Sequence, residues 1–199
     1  MRGSLRNIGL CLLAPFAVLW AVPEAPPKHA DLLAEPVHAP FPEQLTGAFT
    51  GDFGEDTCRS CHFDYPLNPE GGSLELKGIP ERFAPGQTYT LHIILRRENL
   101  RLGGFQLTAR HSDSSQAGRF SVDSPSLQFT RGLGGVNYVQ HTPSSTEPAE
   151  EGLIRWEVPW TAPASGEVRF SLAANAGNGD ASAFGDYIFS LSRSVAPDE

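Results

Sequence analysis

The sequence predicts an all-β protein, an antiparallel β-sandwich of about eight or nine strands. Three observations carry this. Beyond residue 73, apolar residues recur at every second position in run after run, the signature of strands that bury one face. Gly (20) and Pro (17) are plentiful, and charged residues make up only 19% of the 199, a poor composition for a helical bundle and a good one for a turn-rich β protein. No stretch beyond the N-terminal segment sustains a helical period. A chain of this length suffices for one well-buried domain and is short for two.

The N-terminal segment is read as an export signal. Arg2 and Arg6 precede an uninterrupted apolar run at residues 8–22. A spanning helix wants roughly 20 residues, so this run suits a signal peptide at residues 1–21, cut near Ala21. Left uncut, it would serve as an N-terminal anchor, which is the one membrane contact expected. Cys11 lies inside the run behind Leu10, which does not suit a lipoprotein. Cleavage removes two of the 15 basic residues and none of the 23 acidic ones, leaving 13 − 23 = −10. It also removes Cys11 and Met1. The mature chain then holds two Cys and no Met, in an extracytoplasmic compartment, periplasmic or secreted, that is oxidising.

Residues 22–50 contain Pro23, Pro26, Pro27, Pro36, Pro40 and Pro42 with little periodicity, a linker by composition. His29 and His38 lie in it and are expected to be solvated. Residues 51–72 are dense in turn formers around the two cysteines. The sandwich is expected over residues 73–195. In TYTLHIILRR, Tyr89, Leu91, Ile93 and Leu95 share a face; in GFQLTAR, Phe105, Leu107 and Ala109 do, with Gln106, Thr108 and Arg110 opposite. In LIRWEVPW, Ile154, Trp156, Val158 and Trp160 alternate with polar residues, and Val168, Phe170 and Leu172 do so in GEVRFSLA. Tyr187, Phe189 and Leu191 continue the pattern, and further short strands are expected at 73–79, 118–122, 126–130 and 135–141. The opposite faces are expected to be solvated. Trp156 and Trp160 are expected in the core rather than in a stacking platform.

The chemistry-bearing constellation is Cys58-Arg59-Ser60-Cys61-His62, the C-x-x-C-H spacing of c-type haem attachment. Two thiols three positions apart can form thioethers on one edge of the macrocycle, and the following His supplies the proximal imidazole. On this reading Cys58 and Cys61 hold one covalent haem c and His62 is its proximal iron ligand. The export signal and the absence of any other mature Cys support it. The alternatives are a local Cys58–Cys61 disulfide, whose short loop adds little stability, a thioredoxin-like redox pair, a zinc site lacking its second ligand pair, and a free dithiol. Without Met, the iron cannot be His/Met and is His/His, His/water or five-coordinate. Of His29, His38, His92, His111 and His141, His141 in YVQHTPS is the leading sixth-ligand candidate. Its competing role is a backbone hydrogen bond that holds the adjacent turn.

Asn175, Asn178, Asp180 and Asp186 offer oxygen ligands for Ca²⁺, although Asn-Gly and Gly-Asp are first of all turn formers. Glu147, Glu150 and Glu151 read as a solvated acidic loop. No nucleophile–base signature is present, so no enzymatic activity is expected. The acidic balance speaks against nucleic acid as a partner. It permits a basic redox partner without identifying one.

The string TGDFGEDTCRSCH, followed by PGQTYTLHI, GFQLTAR, AGRF, HT, RWEVPWTAP and GEVRFSLAANAGNGD, resembles the reeler (reelin-domain-like) family over residues 46–190. It is most similar to the bacterial exported branch called choice-of-anchor V. The resemblance implies an Ig-like β-sandwich. It matches Cys58, Cys61 and His62 to that branch's Cys-x-x-Cys-His and so implies a cytochrome-like role. Animal members share the Cys58 position without the rest of the motif. They also share His141-Thr142, which implies a structural His141. The branch often carries a C-terminal sorting tail, whereas this sequence ends in SRSVAPDE, so anchoring is expected through the N-terminus or a partner. The two functional expectations are thus an exported mono-haem protein with electron transfer as its role, and a secreted Ig-like binding or adhesion module with a disulfide and no cofactor.

Overall fold

The alternating runs form strands where the pattern places them. A computed structural model describes residues 47–199; the signal and most of the proline-rich linker lie outside the described residues. Among the described residues there are ten strands: β1 (Gly72–Lys77), β2 (Arg82–Phe83), β3 (Thr88–Arg97), β4 (Leu102–Arg110), β5 (Arg119–Phe120), β6 (Leu127–Arg131), β7 (Asn137–His141), β8 (Leu153–Thr161), β9 (Val168–Gly177) and β10 (Tyr187–Pro197). They build a β-sandwich of a four-stranded sheet, β1-β3-β8-β5, and a six-stranded sheet, β2-β10-β9-β4-β7-β6. Every pairing is antiparallel except β2 with β10. The two-residue β2 is too short to show a period, and it was not expected from the sequence.

The long central pairs fix which residues face inward. β3 pairs with β8 from Thr88↔Thr161 to Arg96↔Leu153, and β4 pairs with β9 from Leu102↔Gly177 to Arg110↔Arg169. These registers put Leu91, Ile93, Leu95, Leu107, Val158, Phe170 and Leu172 into one core with no solvent exposure. A large apolar side chain gains about 1.5–3 kcal/mol on full burial, and a one-residue slip would turn the whole set outward. Trp156 and Trp160 are core residues, as expected. Their indole N–H groups donate to the carbonyls of Ser145 (2.8 Å) and Ala117 (3.1 Å), which removes the cost of burying them.

The two outer faces differ. On the four-stranded sheet, His92 lies beside Glu157 (Nδ1 to Oε1, 3.6 Å) in solvent. On the six-stranded sheet the expectation of a solvated face is overturned. Gln106, Thr108, Arg110, Ser171 and Ala173 are all buried, because residues 47–68 lie across them. Their small or hydrogen-bonding side chains give this segment a flat surface with donors to meet.

Two carboxylates make that attachment. Asp52 Oδ2 accepts hydrogen bonds from Arg169 Nε (2.5 Å), Ser171 Oγ (2.8 Å) and Ser192 Oγ (2.9 Å), and its Oδ1 accepts from the N–H of Phe53 (3.0 Å). Burial pushes this carboxyl up, but the hydrogen bonds from Ser171, Ser192, Phe53 and Arg169 together pull it below its ordinary value. Glu55 accepts from Arg110 Nη2 and the Tyr138 hydroxyl through Oε1 and from Thr50 Oγ1 (3.0 Å) through Oε2. The Arg110 and Glu55 side chains are only 6% and 12% exposed. The Arg110 guanidinium also lies over the rings of Phe53 (4.8 Å) and Tyr138 (5.2 Å).

Glu55→Ala strips a buried guanidinium of its counter-charge. A loss of about 3–5 kcal/mol is expected in denaturant unfolding, with part recovered in Glu55→Ala/Arg110→Met. Asp52 has a depressed folded pKa, so its stabilisation is full above the unfolded carboxylate value of about 3.9 and is lost as pH falls through the lower folded value. The stability difference between the parent and Asp52→Asn, measured across pH, is therefore expected to be constant near neutrality and to shrink below about pH 4.

Candidate functional site

The cysteine motif sits on the docked segment, on one short helical turn. Thr57 opens the turn by accepting the Arg59 N–H on its hydroxyl (3.1 Å). A 3₁₀ turn covers Cys58–Ser60, and the N–H groups of Cys61 (3.2 Å) and His62 (3.1 Å) both donate to the Cys58 carbonyl. Residues three apart on a helical turn share a side, so this local geometry puts the two cysteines on one side of it. Thr50 bridges Thr57, and Arg59 Nε reaches the Tyr65 carbonyl (2.7 Å), closing the loop around the motif.

Both cysteines are free thiols. Cys58 is half-buried and Cys61 exposed. Desolvation pushes the Cys58 thiol up to about 11, so little of it is thiolate at neutral pH.

Two tripeptides lock the motif to the loop before β10. His62 Nδ1 lies 2.7 Å from Asp186 Oδ2. The rings of Phe63 and Phe184 meet edge to face, 5.7 Å between centroids. Asp64 Oδ2 accepts the N–H of Gly185 (2.7 Å). Gly185 has φ +78°, and a Cβ there would meet Asn178 Nδ2 at 2.6 Å, so this turn requires glycine. One step further, Tyr65 stacks on Tyr187 at 4.0 Å, and the Arg97 guanidinium lies 3.3 Å from the centre of the Tyr187 ring. Asn68 then hydrogen-bonds the β10 backbone at Ile188 and Ser190.

Asp186 is buried and fully engaged. Besides His62, its Oδ2 takes Asn175 Nδ2 (3.1 Å) and its Oδ1 takes the Asn178 N–H (3.1 Å). Burial pushes the carboxyl up, but the hydrogen bonds from His62, Asn175 and Asn178 outweigh it and hold the group below its ordinary value. The Asn175–Asp186 stretch weighed for Ca²⁺ thus spends its key carboxylate on His62, while Asp180 caps its own turn through Asn178 and Ser182. The sequence reading named Asp186 as an oxygen donor and missed its pairing with His62.

His141 lies over Gly104 of β4, which is in register with Asn175, the residue whose amide approaches His62. β7 pairs with β4 at Gln106↔Gln140 and Leu107↔Val139, and beyond these rungs the His141 ring takes over. Its Nδ1 accepts the Phe105 N–H (3.0 Å). Desolvation drives its pKa down, which favours the neutral ring this contact needs. The ring fills the space above Gly104, where a Cβ would come within 2.6 Å of it. His111 Nδ1 contacts the Glu167 carbonyl (2.9 Å) at a strand end; His29 and His38 lie outside the described residues.

Cys58, Cys61 and His62 would suit a covalently attached haem: two cysteine side chains on one side of a turn, and an imidazole whose Nε2 takes no hydrogen bond among the described residues. Beside them Phe63 (55%) and Phe184 (57%) are exposed, an apolar surface next to the motif. Among the described residues no three His, Cys, Asp or Glu side chains converge into a metal-ion cluster, which leaves the zinc alternative without ligands there. With iodoacetamide, the apoprotein is expected to lose Cys61 first and Cys58 much more slowly, read by peptide mass spectrometry. Protection of both until a reductant is added would show a disulfide instead.

No family profile matches this chain, and no characterised relative matches it. Solved structures similar to it include the reeler domain of human F-spondin (TM-score 0.45, 19% identity, covering 67% of this chain and 92% of that one). Another is the Reelin-N domain of F-spondin (TM-score 0.45, 18% identity, 71% and 97% covered). The bacterial hydrophobin BslA is a third (TM-score 0.38, 19% identity, 68% and 99% covered). At these identities the likeness describes the chain path alone, a β-sandwich.

Proposed function

We propose that this chain is an exported β-sandwich module that carries one covalent haem c on Cys58 and Cys61, with His62 as proximal iron ligand and electron transfer as its role. The observation that carries the reading is the pairing of two free thiols on one turn with an imidazole held at Nδ1 and open at Nε2. The bound group would supply a one-electron couple. The protein supplies the rest: the turn at Cys58–Ser60 presents the thiols, Asp186 orients the ring, and Phe63 with Phe184 offers apolar surface. Without a Met in the mature chain, the couple is expected below the range of His/Met cytochromes.

A second reading is favoured by one of the same features. Phe63, Tyr65 and Phe184 are exposed aromatic side chains on one edge of a sandwich, and aromatic residues are enriched at binding surfaces. On that reading the chain is a cofactor-free binding or adhesion module, and the cysteines close into a disulfide in the oxidising compartment.

A pyridine haemochrome spectrum separates the two. The protein is exported from a host competent for c-type maturation, beside Cys58→Ser/Cys61→Ser. A c-type band in the parent, absent from the variant, is expected. A colourless parent at full yield would overturn the haem reading and leave the binding module.

A further inference from the structure

Resting on the haem reading, the geometry points to Asp186 as the positioning residue of the iron ligand: it fixes His62 in the Nδ1–H tautomer, turns Nε2 outward and makes that nitrogen a stronger donor. A carboxylate only accepts hydrogen bonds. Its oxygen lies 2.7 Å from His62 Nδ1, so the proton belongs on Nδ1 and the lone pair on Nε2. The His62 side chain is 20% exposed and that of Asp186 only 6%. The charged member of the pair is therefore the one shielded from water.

Asp186 cannot turn away. Asn175 Nδ2 and the Asn178 N–H hold it from two sides. Asn175 itself belongs to β9, in register with Gly104 of β4 and Ile188 of β10, so the carboxylate is referenced to the centre of the six-stranded sheet. The amide of Asn175 also lies 3.4 Å from His62 Nδ1. Its Nδ2 donates to the carboxylate, and its buried Oδ1 has no hydrogen-bond partner. The amide is thus spent on Asp186 even at the expense of its own oxygen. A histidine needed only to staple the loop would be served by any acceptor. A buried, triply donated carboxylate raises ligand basicity, as acidic partners of metal-bound imidazoles do, and so favours the more highly charged state of the iron.

The test uses the full exported chain. In the haem-loaded protein, Asp186→Asn is expected to raise the midpoint potential at unchanged haem content, and Asp186→Glu to restore most of the shift. An unchanged potential in Asp186→Asn with haem retained overturns the role of Asp186 and leaves the haem reading standing. A colourless parent overturns both. If Asp186→Asn fails to fold, the apoprotein decides. In ¹⁵N-histidine spectra of Cys58→Ser/Cys61→Ser, His62 is expected as a single Nδ1–H tautomer. A mixture, or an Nε2–H tautomer, overturns the inference without reference to haem.

Discussion

The site depends on two acidic side chains placed face down on a sheet. Asp52 and Glu55 reach the outer face of β4, β9, β10 and β7, where Arg169, Arg110, two serines and Tyr138 receive them. Without these contacts little else in residues 50–60 would hold the segment, since beside Phe53 that stretch is mostly Gly, Asp, Glu, Thr, Ser and Cys. Burying charge is costly unless it is paired and hydrogen-bonded. Here both conditions are met, and the arrangement specifies one register. A segment fixed by two carboxylates about one turn apart can lie in one position only, and the cysteine turn follows directly behind it.

Beyond the turn the logic changes from charge to reciprocal contact. His62, Phe63 and Asp64 each find a partner among Phe184, Gly185 and Asp186. The three contacts differ in kind: an imidazole on a carboxylate, an aromatic pair and a side chain to a backbone N–H. No sliding of one tripeptide along the other preserves all three. The motif is therefore clamped at both ends, by Asp52 and Glu55 before it and by the tripeptide pair after it. The thiols lie between the clamps, on the turn at Cys58–Ser60.

The core was legible because strands announce themselves by period. Leu91, Ile93 and Leu95, and Trp156, Val158 and Trp160, were assigned inward from sequence and are buried. The cysteine motif was legible because its chemistry is local. Two things were not. Ser171, Ala173 and Thr108 read the same whether water or protein covers them, so the covered face looked solvated. The partnership of His62 with Asp186 joins residues far apart in the sequence, and a single sequence holds no signal for it. Asp186 was noticed as an oxygen donor, but its Asn- and Gly-rich neighbourhood pointed to a turn or a cation rather than to an imidazole.

That separation along the chain has a consequence for how the molecule is made. The surface that receives residues 47–68 is assembled from β4, β7, β9 and β10, and Asp52 alone contacts residues 117 to 140 positions away. Chains emerge N-terminus first, so the cysteines appear early, while their docking surface is complete only when the final strand has joined. Contacts of such sequence separation form late. Throughout that interval Cys58, Cys61 and His62 belong to an unstructured peptide, and Cys58 is still hydrated. Docking of the segment is thus the step that takes Cys58 out of water and brings His62 to Asp186, and it waits for the last strand.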